Sequence, residues 1–252
     1  MQQLVKNWWE RNGRGYQAQF QIPIDILYGP PLTLNEDALE LIGPVEGKRV
    51  LEIGCGGAQA AIAFAKRGAL ATGVDIAESQ IAFARELAQQ HGVTIELLQR
   101  DMTDLNPIPS VSQDIVFSAY AFQYIEHLSR CFEEVYRVLK PHGLFVWSVG
   151  HPFAELVVAD PQTDTLTVTR SYFETGVYIE GADTECPFAG VDHTVSDYFN
   201  LLVDVGFVVE RMLEPDTRVC GVGDPQHLPN QEKVLAKVPG VIIFKARKPE
   251  AS

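Results

Sequence analysis

Between residues 49 and 147 short apolar runs alternate with amphipathic stretches, the pattern of βαβ units that build a parallel sheet. Runs at 49–53, 71–75, 94–99, 115–118 and 144–148 are predicted as strands. Between them Ile81, Ala84, Leu87 and Ala88 share one helical face that stops at His91-Gly92. Phe132, Val135, Tyr136 and Leu139 share another, ended by Lys140-Pro141. After Gly150 the rhythm changes. The β-branched runs 165–169 and 176–179 predict a hairpin inserted over the sheet edge. Thr194 to Asp197 then fits a capping box before Phe199, Leu202 and Val205, with Gly206 as the stop, and 207–213 and 241–244 supply two further strands. The first 49 residues carry Trp8-Trp9, Tyr16, Phe20 and Tyr28-Gly29-Pro30-Pro31 without a sustained helical or strand period. They read as a lid, or as an extension pinned to the core by its aromatics.

The chemistry concentrates at one strand end. Val50 to Ala58 (Val-Leu-Glu-Ile-Gly-Cys-Gly-Gly-Ala) is a buried strand running into a glycine-rich turn that opens a helix, where backbone N–H groups face a polar ligand. A dinucleotide fingerprint requires a third glycine where Gln59 stands, and the Glu52 carboxylate would repel a pyrophosphate while suiting an ammonium or sulfonium. Asp75 ends the second strand, 21 residues after Gly54, close to the spacing at which an acidic side chain accepts from ribose hydroxyls.

Glu52-x-Gly54-x-Gly56-x-Ala58 resembles the first motif of the class I S-adenosylmethionine-dependent methyltransferases, departing from it in having Ala58 at the last glycine. The resemblance covers residues 49 to about 149, and Gln113–Tyr120 and Arg137–Gly143 resemble the family's fourth strand and its helix-to-fifth-strand turn, with His142 where glycine is usual. It implies an α/β, Rossmann-like seven-stranded methyltransferase sheet, mostly parallel with the last strand antiparallel. An N-terminal lid (1–48), a cofactor-binding core (49–150), a substrate-cap insertion after the fifth strand (151–192) and a closing part of the same domain (193–252) would complete it. It further implies S-adenosylmethionine as cofactor and S-adenosylhomocysteine as product. Glu52, Gly54, Gly56, Asp75, Ile76 and Gln80 would bind the cofactor, with Asp101 and Met102 at the adenine and Ala119 beside the sulfonium.

Methyl transfer is an in-line displacement governed by positioning, and a general base is required only where the nucleophile must lose a proton. His151, His193 and Tyr120 are the catalytic candidates, and Tyr16, Tyr28 and Tyr124 the substrate-binding ones. Two other readings are a nucleotide-dependent oxidoreductase and a non-catalytic S-adenosylmethionine-binding module.

Composition narrows the partners. A net charge of −13 without a long Lys/Arg cluster argues against nucleic acid, although Arg14, Arg170, Arg211 and Arg218 leave a local anion site for a prenyl diphosphate or lipid acceptor open. No apolar run of about 18 residues and no signal-like start is seen, so a cytoplasmic protein away from membranes is expected. Four scattered cysteines indicate reduced thiols and no metal site. The expected partner is a small-molecule acceptor, the expected state a monomer or homodimer.

Overall fold

The computed structural model describes residues 1–29, 34–216 and 237–250. The chain opens with helix α1 (Gln2–Phe20), followed by a short α2 (Glu36–Leu39). The first half of the sheet comprises β1 (Arg49–Ile53), α3 (Gln59–Lys66), β2 (Leu70–Asp75), α4 (Glu78–Gln90) and β3 (Glu96–Gln99). Then come β4 (Gln113–Ala119), α5 (Leu128–Val138) and β5 (Leu139–Gly150). Two small hairpins, β6 (Val157–Asp160) with β7 (Thr165–Val168) and β8 (Gly176–Glu180) with β9 (Phe188–Asp192), precede α6 (Val195–Val205), β10 (Val208–Leu213) and β11 (Val241–Arg247).

Seven strands form one sheet in the order β10-β11-β5-β4-β1-β2-β3. The strands from β5 to β3 run parallel, while β11 pairs antiparallel with both β5 and β10. The chain steps one way from β1 to β3 and then returns to place β4 on the other side of β1. That reversal opens a crevice beyond the carboxyl ends of β1 and β4, the usual ligand position in such sheets.

Both faces of the sheet are covered at its centre, so β1, β4, β5 and β11 are largely apolar and buried, while the edge strands β3 and β10 are half exposed. Leu51, Ile53, Val116, Phe145, Trp147 and Phe244 pack with α5 and α6 on one side. Val50, Phe117, Val146 and Ile243 pack with Phe64 and Ile81 on the other. Trp147 stacks on Phe244 with centroids 4.7 Å apart, and each such fully buried side chain contributes about 1.5–3 kcal/mol. The capping box is present: the Thr194 hydroxyl accepts from the Asp197 N–H, the Asp197 carboxylate accepts from the Thr194 N–H, and Gly206 closes α6 in the left-handed region.

Two local expectations are corrected. The aperiodic N-terminal stretch contains a helix of 19 residues. Its inward face is Val5, Trp9, Gly13 and Gln17, a four-residue spacing written in chemically unlike residues, so no apolar period shows. The runs 165–169 and 176–179 do not pair with each other; each takes a partner of its own from residues 157–160 and 188–192. The link from β3 to β4 has no crossover helix and is made of turns.

Candidate active site

The turn after β1 is shaped by close approach. Gly54 has φ 64°, and a Cβ there would lie 2.4 Å from the Ala121 Cβ and 3.0 Å from Met102 Sδ. Gly56 has φ 52°. Ala58 has φ 55°, so the residue that departs from the glycine pattern nonetheless takes the backbone conformation a glycine would take. Helix α3 starts immediately beyond, and the buried Glu52 carboxylate accepts from the Ala61 N–H in its first turn at 2.6 Å.

Asp75, at the end of β2, fastens this turn to the next helix. One carboxylate oxygen accepts from the Gly56 N–H at 2.8 Å and the other from the Ala77 N–H at 2.9 Å. Burial, reinforced by Asp75, pushes the Glu52 carboxyl up to about 8; burial, reinforced by Glu10, raises Asp75 to about 6. Asp101 follows β3. It accepts from the Thr103 N–H at 2.7 Å and from the Gln2 side-chain amide at 2.6 Å. Gln99 donates to the Ile76 carbonyl at 3.1 Å, holding the loop beside Asp75 in place.

These residues line one cavity of about 440 Å³. Glu52, Gly54, Gly56, Asp75, Ile76, Asp101, Met102 and Ala119 form one part of its wall. The other part brings Val5, Trp9, Tyr16, Gln17 and Phe20 from α1 to Tyr120 and Tyr124 after β4. The set suits an adenosine: bare glycine backbone at the turn, acidic side chains at three strand ends, and a soft Met102 surface. Among the described lining residues there is no Lys, Arg or His to meet a phosphate.

Several sequence candidates lie elsewhere. His151 is buried outside the lining with both ring nitrogens engaged: Nδ1 accepts from the Phe153 N–H at 3.1 Å, and Nε2 donates to Glu214 at 2.8 Å. His193 faces the Ile125 carbonyl at 3.2 Å, and burial lowers its pKa. Tyr28 is fully buried in the core, its hydroxyl donating to Glu36 at 2.5 Å. Gln80 is buried behind the lining, where it accepts from Gln17 at 3.2 Å and abuts Gly13, at which a Cβ would lie 1.7 Å from its Nε2. Arg14 pairs with Glu86 and Arg170 with Asp192, neither in the cavity, whereas Arg218 and Cys220 lie outside the described residues.

The sequence offered Tyr16 and a lid, but not the helix α1 or its amide-bearing face. Gln17 sits between Gln59, which donates to it at 2.6 Å, and Gln80, forming a buried chain of carboxamides. The Glu10 carboxylate caps α4 by accepting from Glu78 and Ser79 N–H groups at 2.8 and 2.9 Å. A glutamine or glycine on an inward face carries no hydrophobic signal, so only a four-residue periodicity of small or amide side chains could have disclosed it. Among the described residues no cluster of metal ligands occurs, and no helix is long and apolar enough to cross a membrane.

Residues 51–147 match the model of the family described as "Methyltransferase domain". A ubiquinone biosynthesis O-methyltransferase of Pseudomonas savastanoi is 31% identical over 145 residues, 58% of each chain. A Haemophilus influenzae protein of uncharacterised function is 25% identical over 236 residues, 87% of this chain and 91% of its own. The crystal structure of an S-adenosylmethionine-dependent methyltransferase from Mesorhizobium loti superposes with a TM-score of 0.70 at 24% identity, covering 84% of this chain and 96% of that one. Where identity to curated relatives exceeds 30%, the chain spans about half of their length, 46% to 58%. Residues 51–147 therefore belong to the methyltransferase domain family, and the sheet around them has the fold of the S-adenosylmethionine-dependent methyltransferases.

Proposed function

We propose that the chain transfers a methyl group from S-adenosylmethionine to a small-molecule acceptor, releasing S-adenosylhomocysteine. The observation that carries this reading is the convergence of four strand ends on one cavity: Glu52 near the end of β1 with Gly54 just beyond it, Asp75 at the end of β2, Asp101 after β3 and Ala119 at the end of β4. In this assignment Asp75 and Ile76 hold the ribose, and Asp101 and Met102 hold the adenine. The backbone of Gly54 and Gly56 admits the positive tail near Glu52. The bound cofactor supplies an electrophilic methyl on a sulfonium; the protein supplies position and exclusion of water.

Tyr16, Tyr120 and Tyr124 stand on the remaining wall, where an acceptor would lie. Tyr120 has φ 55°, an uncommon conformation for a bulky residue. Its N–H donates to the Ser148 carbonyl at 2.9 Å, and its ring occupies space that Gly29 leaves free, 2.1 Å from where a Cβ would be. Strain held by such surroundings accords with a functional position. Helix α1 roofs the cavity and serves in this reading as the lid.

Titration calorimetry with S-adenosylhomocysteine and with NADH tests the assignment. One saturable site for the former and none for the latter is expected. NADH binding without S-adenosylhomocysteine binding would establish the oxidoreductase reading instead.

A further inference from the structure

We propose that the methyl acceptor is an apolar small molecule presenting a neutral primary or secondary amine, held against the aromatic wall that α1 and the turn after β4 build together. This rests on the methyltransferase reading above. Beyond the strand ends the wall consists chiefly of Val5, Trp9, Tyr16, Phe20, Tyr120 and Tyr124. Trp9 meets Tyr16 edge-on at 5.2 Å and Tyr124 at 5.7 Å, while Tyr16 and Phe20 lie 4.5 Å apart. Such a wall takes a flat or alkyl skeleton by dispersion, and aromatic faces attract positive charge.

The ionisable groups on the wall point the same way. Asp25, Glu52, Asp75 and Asp101 line the cavity, Asp25 pairing with Arg67 from behind at 3.3 Å, and the described lining itself holds no cationic side chain. A phenolate, carboxylate or phosphate nucleophile would be desolvated beside acids with no described cation to pair it. Burial raises the pKa of Tyr16, Tyr120 and Tyr124, so their hydroxyls keep their protons. Protonated phenols donate hydrogen bonds and cannot strip a proton from an alcohol or a carbon acid.

A neutral amine needs no base before transfer. Its lone pair forms the new N–C bond as the C–S bond breaks with its electron pair onto sulfur. The resulting ammonium gives its extra proton to water. Positive charge thus develops on nitrogen opposite the rings of Trp9, Tyr16 and Tyr124, the surroundings that favour it.

The test uses the full chain and skeleton-matched probes: phenethylamine, N-methylphenethylamine, 2-phenylethanol and 3-phenylpropionate. Calorimetry on protein saturated with S-adenosylhomocysteine should show the amines binding about tenfold or more tightly than the carboxylate. Mass spectrometry with S-adenosylmethionine should show N-methylated products only, with KM falling as pH approaches the amine's own pKa. Trp9→Leu and Tyr124→Leu should weaken amine binding without altering S-adenosylhomocysteine binding. Preferred methylation of the alcohol or carboxylate, or absence of amine binding to the loaded protein, overturns the acceptor class. Failure of S-adenosylhomocysteine itself to bind overturns the methyltransferase reading, and the acceptor class with it.

Discussion

The Glu52 carboxylate lies 2.6 Å from the Ala61 N–H, so the last acidic residue of β1 closes the first turn of α3 from beneath the glycine-rich loop. Its proton is held to about pH 8, chiefly by burial. The folded chain therefore binds a proton there that the unfolded chain has released above its ordinary value of 4.5. Stability from this group is complete below that value and is lost as pH rises towards 8, at about 1.4 kcal/mol per pH unit. Asp75, raised to about 6, adds to the slope below that pH. Urea unfolding of the ligand-free protein at pH 5, 6.5 and 8 should show falling stability, and Glu52→Gln should flatten the upper part of the curve.

Asp75 accepts from Gly56 and Ala77 and is the assigned ribose ligand. Asp75→Asn keeps the shape but turns one acceptor into a donor facing an N–H. Loss of a charged hydrogen bond is worth about 1.5–3 kcal/mol, or roughly 10- to 100-fold in affinity. S-adenosylhomocysteine titration of the variant should show that loss, and unchanged affinity would remove Asp75 from the site.

Tyr28 is a structural residue. Its hydroxyl donates to Glu36, whose carboxylate also accepts from the Leu41, Ile42 and Gly43 N–H groups. Tyr28→Phe should cost about 1.5–3 kcal/mol of stability, since it removes a buried hydrogen bond to a charged group. KM for the acceptor should not change; a rise in KM without loss of stability would restore Tyr28 to the substrate site.

His142 stands in the turn inside β5 with φ 62°, where its N–H donates to the Lys248 carbonyl at 2.9 Å. Those bonds hold a non-glycine residue in the left-handed region at a cost of about 1 kcal/mol. His142→Gly should recover that amount and raise Tm by about 2–4 °C. An unchanged or lower Tm in a thermal scan would show that the turn carries no such strain.

The sequence alone determined the central sheet and the strand ends that line the cavity. Strands β1, β2, β4 and β5 are buried on both faces, so their apolar runs stand out, and the glycines after β1 mark a conformation that few other residues accept. Glu52, Asp75 and Asp101 were legible because each directly follows or ends such a run. Tyr16, Tyr120 and Tyr124 on the opposite wall were named from the sequence, but the helix that carries Tyr16 and the side chains around it were not. Helix α1 meets the cavity through Val5, Trp9, Tyr16, Gln17 and Phe20, and it is seated there because α4 and the carboxamides of Gln59 and Gln80 lie against Gly13 and Gln17. Likewise, His151 and His193 look alike in sequence to any catalytic histidine. His151 Nε2 is committed to Glu214 and His193 Nε2 to Ile125 by contacts between distant segments. Periodicity reports burial along one element, whereas which side chains converge on a cavity depends on how separate elements are packed, and that only the tertiary structure decided.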